Sequence, residues 1–217
     1  MSEHTIKAFD TELHDLAQAI LEMGRLVEKQ IGDAIGVLSN HDLAVAQEII
    51  AADAKIDRMQ REIVGVLRIA NGLERIGDYA KNIGKRAIAT GTEIGPATAV
   101  HGLQRMANLV LAALKQVLDA YARRDLPQAL AVWRGDEAID AANNSLFREL
   151  LTYMMEDPRN IRPCTHLLFC AKNIERMGDH ATNIAETIYY IMKGVPIEEE
   201  RPKGDAINLN AVPHPNR

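Results

Sequence analysis

The 217-residue chain is 47% hydrophobic but only 4% aromatic, with a formal net charge of −5 and two cysteines. An apolar fraction of that size supplies a core, and few aromatics beside abundant Ala, Leu and Ile favour helices over sandwiches or barrels. The acid excess argues against a nucleic-acid binder, two thiols make no disulfide framework and suit a reducing cytosol, and no apolar run approaches the roughly 18–20 residues that span a bilayer.

The charged start, MSEHTIKAFDTELHDL, has no signal-peptide core. From Ile6 to Leu38 apolar residues recur every three or four positions (Phe9, Leu13, Leu16, Ile20, Met23, Val27, Ile31, Ile35, Leu38), which predicts one long amphipathic helix. SNHD, Ser39 to Asp42, ends it and caps the next. TGTEIGP, Thr90 to Pro96, is a break. RRDLP, Arg123 to Pro127, is another, with Asp125 as N-cap and Pro127 in a first turn. EDPRNIRP, Glu156 to Pro163, is a third. Beyond Gly194 the chain turns to Pro, charge and no apolar period, the composition of a disordered tail over 195–217. Long helices joined by short turns fold back on one another, so the expected class is all-α, a helical bundle.

The chain repeats itself. HDLAVAQEIIAADAKID aligns with RDLPQALAVWRGDEAID, pairing Asp53 with Asp136 at an offset of 83 residues; Met23 and Met106 keep that offset. The phrases LERIGDYAKNIGK and NIERMGDHATNIAE pair Glu74 with Glu175 at an offset of 101, so the first copy is shorter by 18 residues. The missing piece matches about Ser145 to Arg162, the corner between two antiparallel helices, and the junction falls near Arg61–Glu62. Two readings are open, a true deletion or residues omitted from the sequence. We take the second, because without its corner the first bundle could not close as its twin does; a bonded Arg61–Glu62 pair, at about 1.33 Å, would refute it. The expected domains are a three-helix bundle over 1–90 and its twin over 96–194.

Glu74 and Asp78 lie four apart and share one helix face, as do Glu175 and Asp179. Like charges at that spacing repel by about 0.2–0.5 kcal/mol, and more where buried. A cation would offset this, and carboxylates without His or Cys at helical spacing suit magnesium, calcium, manganese or iron. The bland alternative is ion pairing of each Asp with Arg75 or Arg176, three residues earlier, on a solvated face. Asn82 and Asn183 extend the faces with amide oxygens, or make interhelical hydrogen bonds. Asp53, Asp57, Asp136 and Asp140 repeat as D-x-x-x-D on the preceding helices, and are either additional contacts or solvated charges. Gly77 and Gly178 sit mid-helix, which costs about 1 kcal/mol relative to Ala and points to close helix packing. His166 and His180, fourteen residues apart on one helix, cannot share a metal without another chain. No phosphate-binding loop, dinucleotide fingerprint, zinc-protease or serine-hydrolase motif is present, so no catalytic residue is assigned. The position three after each repeated Glu is Gly, not the His of a di-iron oxidase.

HTIKAFDTELHDLAQAILEMGRLVE, TYMMEDPRNI and CAKNIERMGDHATNIAETIYYIMKG together resemble the PhoU family of bacterial phosphate-uptake regulators, from about His4 to Gly194. The resemblance breaks at Arg61–Glu62. It implies two pseudo-symmetric three-helix bundles, six long helices in all, with metal held by Glu74 and Asp78 and by Glu175 and Asp179. It leaves the metal's identity open among iron, zinc, manganese and magnesium. It further implies a non-enzymatic cytoplasmic protein, a homodimer, that restrains the phosphate-starvation response. Its partners would be a phosphate-sensing histidine kinase and the ATPase of the phosphate ABC transporter, which would bring it to the membrane periphery. The rival readings are a carboxylate-bridged metalloenzyme and a metal-free helical adaptor.

Overall fold

The computed structural model describes residues 2–40, 43–91 and 95–199. The end of the SNHD reversal, the middle of TGTEIGP and most of the expected tail, 200–217, lie outside them. The described residues hold six α-helices: α1 Ser2–Asn40, α2 Leu43–Thr90, α3 Ala97–Arg123, α4 Leu126–Arg134, α5 Asp136–Glu156 and α6 Ile161–Lys193. A single 3₁₀ turn, Pro158–Asn160, precedes α6. Five of the helices are long. The sixth, α4, has nine residues, because Gly135 separates it from α5 where one continuous helix was expected.

The turns form where side chains satisfy the free backbone groups of helix ends. Arg124 closes α3 in the left-handed region at φ 52°, and the next amide, of Asp125, donates to Ala120 O at 2.9 Å. Asp125 caps α4 by accepting from the Gln128 amide at 3.0 Å, with Pro127 in the first turn. Gly194 ends α6 at φ 78°, its amide donating to Tyr190 O. Of the expected tail, Val195–Glu199 are non-helical, and Ile197 packs on the core.

The corner between α5 and α6 rests on Asp157 and Arg159. The Asp157 carboxylate accepts from the Arg159 amide at 3.0 Å and from the guanidinium at 2.8–3.1 Å. With Pro158 unable to donate, this breaks the helix ladder and lets the chain reverse.

No such break exists in α2. Arg61 and Glu62 are consecutive residues of one 48-residue helix, so the corner found between α5 and α6 has no counterpart there. The chain forms two compact units, one ending at Leu67 and the other beginning at Arg68, inside α2. Thus α1 and the first part of α2 form a two-helix unit, with the Gln30 amide donating to Ile49 O at 3.0 Å and Lys55 lying 3.6 Å from Glu22. The second unit contains α3–α6 and the rest of α2. Its core has two clusters, one around Trp133, Val117 and Ile184, to which Ile69 of α2 belongs, and one around Met106, Leu150 and Ala171.

The Arg159 guanidinium and amide hold the Asp157 carboxyl below the ordinary aspartate value of 3.8. A depressed folded-state pKa gives a stabilisation that is fully present above the unfolded value and is lost as pH falls through the folded one. The Asp157 carboxyl resonance is therefore expected to titrate below pH 3.8 by carbon-detected NMR, and Arg159→Ala to move its midpoint up toward that value.

Candidate functional site

The acidic phrases repeat in sequence but not in surroundings. On α2 the Glu74 side chain is 60% exposed, with Arg75 Nε 3.8 Å away. Asp78 is paired with Lys81, whose hydrogen bond and charge, helped by Arg75, hold the Asp78 carboxyl below its usual range and push the lysine up. The ion pair anticipated from Arg75 is thus made chiefly by Lys81. Asn82, Asp53 and Asp57 are exposed.

On α6 the same phrase is built into the bundle. The Glu175 side chain is 14% exposed. Lys172 Nζ lies 2.7 Å from both of its carboxylate oxygens, donating a hydrogen bond to Oε1 and pairing with the buried Oε2 by charge. Asp179 is half-buried and Asn183 exposed. Asp136 is buried in the first turn of α5, where the helix dipole favours a carboxylate, and accepts from Thr182 Oγ1 at 3.1 Å. Asp140, one turn on, is half-buried. The α5 D-x-x-x-D therefore lies along the α6 E-x-x-x-D stretch, because the corner turned the chain back. Nothing within α2 turns Asp53 and Asp57 back on Glu74 and Asp78.

The two glycines divide in the same way. A Cβ on Gly178 would stand 3.0 Å from Ile139 Cδ1 and 3.6 Å from Val110 Cγ2, so α6 approaches its neighbours closely there. A Cβ on Gly77 would meet nothing within 4 Å.

Among the described residues, no group of three or more His, Cys, Asp or Glu side chains could hold a metal ion. Each repeat offers a carboxylate pair one turn apart, and each pair has a lysine on one member. The α6 pair is the more buried of the two, so its charge is the costlier to leave unneutralised. Neither thiol is activated: burial pushes Cys164 and Cys170 up, the latter against the pull of Arg86.

A cleft of about 430 Å³ opens beside the α6 phrase, lined by Arg68, Asn71, Trp133, His180, Asn183, Glu186 and Tyr190, with Pro196, Ile197 and Glu199 on one wall. Trp133 Nε1 donates to Glu186 Oε1 at 3.0 Å, and the Arg68 guanidinium lies 5.6 Å from the Tyr190 ring centre. The Tyr79 and His180 rings meet at 5.7 Å, and burial lowers the His180 pKa. Sequence reasoning placed Asn183 near a polar site but assigned no polar role to Trp133, Arg68, Glu186 or Tyr190. The signal was available for Trp133, as a tryptophan whose indole N–H needs an acceptor when buried.

The chain matches the family model described as PhoU domain over residues 20–65, 60–87 and 103–188. The first repeat is met in two pieces that overlap at 60–65, where α2 lacks its corner. A protein named phosphate-specific transport system accessory protein PhoU homolog from Rhizobium meliloti is 50% identical, covering 93% of this chain and 94% of the relative. That alignment runs over 223 positions, more than the 217 residues here, so the relative carries residues with no counterpart in this chain. A protein of the same name from Caulobacter vibrioides is 44% identical, over 96% of this chain and all of the relative. The crystal structure of PhoU from Pseudomonas aeruginosa aligns with a TM-score of 0.62 at 34% identity, over 86% of this chain and all of that one. The phosphate transport system regulatory protein PhoU from Streptococcus pneumoniae aligns with a TM-score of 0.61 at 25% identity, over 88% of this chain.

Gly77→Ala is expected to stabilise by about 1 kcal/mol, since Ala is the better helix former and the space is open. Gly178→Ala is expected to destabilise by roughly 1–3 kcal/mol, since the added methyl must displace buried Ile139. Urea midpoints of the two variants, read by circular dichroism, check the opposite signs.

Proposed function

This chain belongs to the PhoU family, and from that premise we propose that it is an accessory protein of a phosphate-specific transport system, acting as a cytoplasmic negative regulator of phosphate uptake and of the phosphate-starvation response. It does so by contact and not by catalysis. The observation that carries this reading is the 50% identity with the Rhizobium meliloti accessory protein along nearly the whole chain. No described helix is long and apolar enough to cross a membrane, and neither thiol is activated as a nucleophile, which fits a protein that works on membrane partners from outside the bilayer. The partners in this reading are a phosphate-sensing histidine kinase and the ATPase of the transporter.

The metal belongs to the same proposal. Glu175 and Asp179 supply two carboxylates one turn apart, the Glu175 side chain is largely buried, and Lys172 is the cation that a metal would displace. Iron, zinc, manganese or magnesium would take oxygen donors there, with water or a partner completing the shell. Glu74 and Asp78 form the weaker pair, because they are the more exposed to solvent. The cation would reduce the repulsion between the carboxylates and fix the α6 face for docking.

Capture of the kinase and the ATPase from detergent extract by the immobilised chain, with and without added metal, tests the regulator. Retention of at least one is expected, and loss of both would count against the reading. Replacing Glu175 and Asp179 together by Ala is expected to lower bound metal severalfold by elemental analysis; unchanged content would favour the metal-free adaptor.

A further inference from the structure

The cleft beside the α6 phrase lies wholly within the unit that begins at Arg68, and neither acidic pair lines it. α2 supplies Arg68 and, one turn on, Asn71 and Gly72. α4 supplies Trp133, and α6 supplies Glu186 and Tyr190, one turn apart. Gly72 lets α2 and α6 approach, since a Cβ there would stand 3.3 Å from Ile184 Cγ1. The volume of about 430 Å³ falls within the roughly 300–1,000 Å³ of ordinary ligand sites.

Arg68 and Glu186 bring opposite charges to this cleft, yet each is held by an aromatic ring and not by the other. The guanidinium lies 5.6 Å from the Tyr190 ring centre, and Glu186 Oε1 accepts from the buried Trp133 Nε1 at 3.0 Å. Neither has an ion-pair partner among the described residues. Such contacts orient a charge without neutralising it. With Glu199, the cleft offers one guanidinium and two carboxylates beside the apolar side chains of Ile184 and Ile197. Two carboxylates repel a phosphate or a nucleic acid, and a simple cation leaves Arg68 unanswered. The complement carries both signs.

The wall of the cleft points to what would carry them. Val195–Glu199 are non-helical, and no backbone hydrogen bond to another described residue satisfies them. Ile197 packs on the cluster around Trp133 and Ile184, which anchors the segment by a side chain. Its main-chain donors and acceptors stay available beside the cleft, and an extended peptide adds to such an edge. Alternate side chains of that peptide point the same way, about 6.6 Å apart. We propose that this cleft docks an extended segment of a partner protein carrying an acidic and a basic side chain two positions apart, the acid on Arg68 and the base on Glu186 and Glu199. The docking rests on the regulatory reading only in needing a protein partner. Synthetic peptides bind or fail to bind whether or not the kinase or the ATPase is captured, so the two can fail separately.

Trp133 is the single tryptophan and lines the cleft, so its emission reports occupancy. The full chain is titrated with capped, Thr-rich hexapeptides bearing one Asp and one Lys two positions apart, in both orders. At least one order is expected to change the emission saturably and to bind severalfold tighter than matched peptides with two Asp or two Lys. No saturable change, or an equal response to either like-charge control, overturns the proposal. So does an equal response to free lysine and aspartate, which would mark a small-molecule site. Arg68→Glu is expected to transfer the preference to the two-Lys peptide; a retained preference for the mixed one overturns the assignment. Should that variant not fold, Glu186→Gln decides, since it keeps an acceptor for the indole and removes the charge. It is expected to reduce the preference for Lys over acetyl-lysine severalfold, and an unchanged preference overturns the proposal.

Discussion

A helix changes direction only where its hydrogen-bond ladder is broken and the freed groups find other partners. Everything distinctive in this molecule depends on that constraint. At Glu156–Ile161 a proline removes a donor, an aspartate accepts from the backbone and from an arginine, and the chain reverses. At Arg61–Glu62 the residues are ordinary helix formers, nothing competes with the ladder, and the helix continues. The difference of 18 residues thus acts less through the contacts it deletes than through the direction it imposes on those that follow.

The consequence for the acidic phrases is that equal sequence does not give equal chemistry. On α6 the carboxylate of Glu175 is desolvated, and desolvation makes a neighbouring charge or cation count. On α2 the Glu74 side chain is largely in solvent and that of Asp78 partly so, and a surface ion pair such as Asp78–Lys81 contributes little. Thr182 and Lys81 occupy matching positions and express this contrast. The threonine is buried and donates to Asp136, while the lysine is exposed and attends its own helix.

Much of the fold was legible because helical periodicity and turn chemistry are local properties. The Asp125 cap, the Asp157–Pro158 corner and the all-α class all follow from residues within a few positions of one another. The Gly135 break was missed because Gly inside an apolar period reads as a tolerated defect, and its effect depends on packing that places Trp133 and Asp136 on either side. The repeat also located the corner that α2 lacks, which no local residue pattern marks. At the site, Glu175 and Asp179 stood out by repetition, whereas Arg68, Glu186 and Tyr190 have no sequence pattern to mark them. They matter only through proximity created by tertiary structure.

All five tyrosines and the single tryptophan lie beyond residue 67, in the unit that begins at Arg68. Absorption, emission and near-ultraviolet dichroism therefore originate in that unit, and the indole of Trp133, buried and hydrogen-bonded, dominates them. The unit formed by α1 and the start of α2 has Phe9 as its one aromatic side chain and contributes chiefly to the far-ultraviolet helical signal. Were it to open separately, a fluorescence melt would record none of the event, and the two spectroscopies would disagree about when this protein unfolds. That disagreement would measure how far the two units share one cooperative transition.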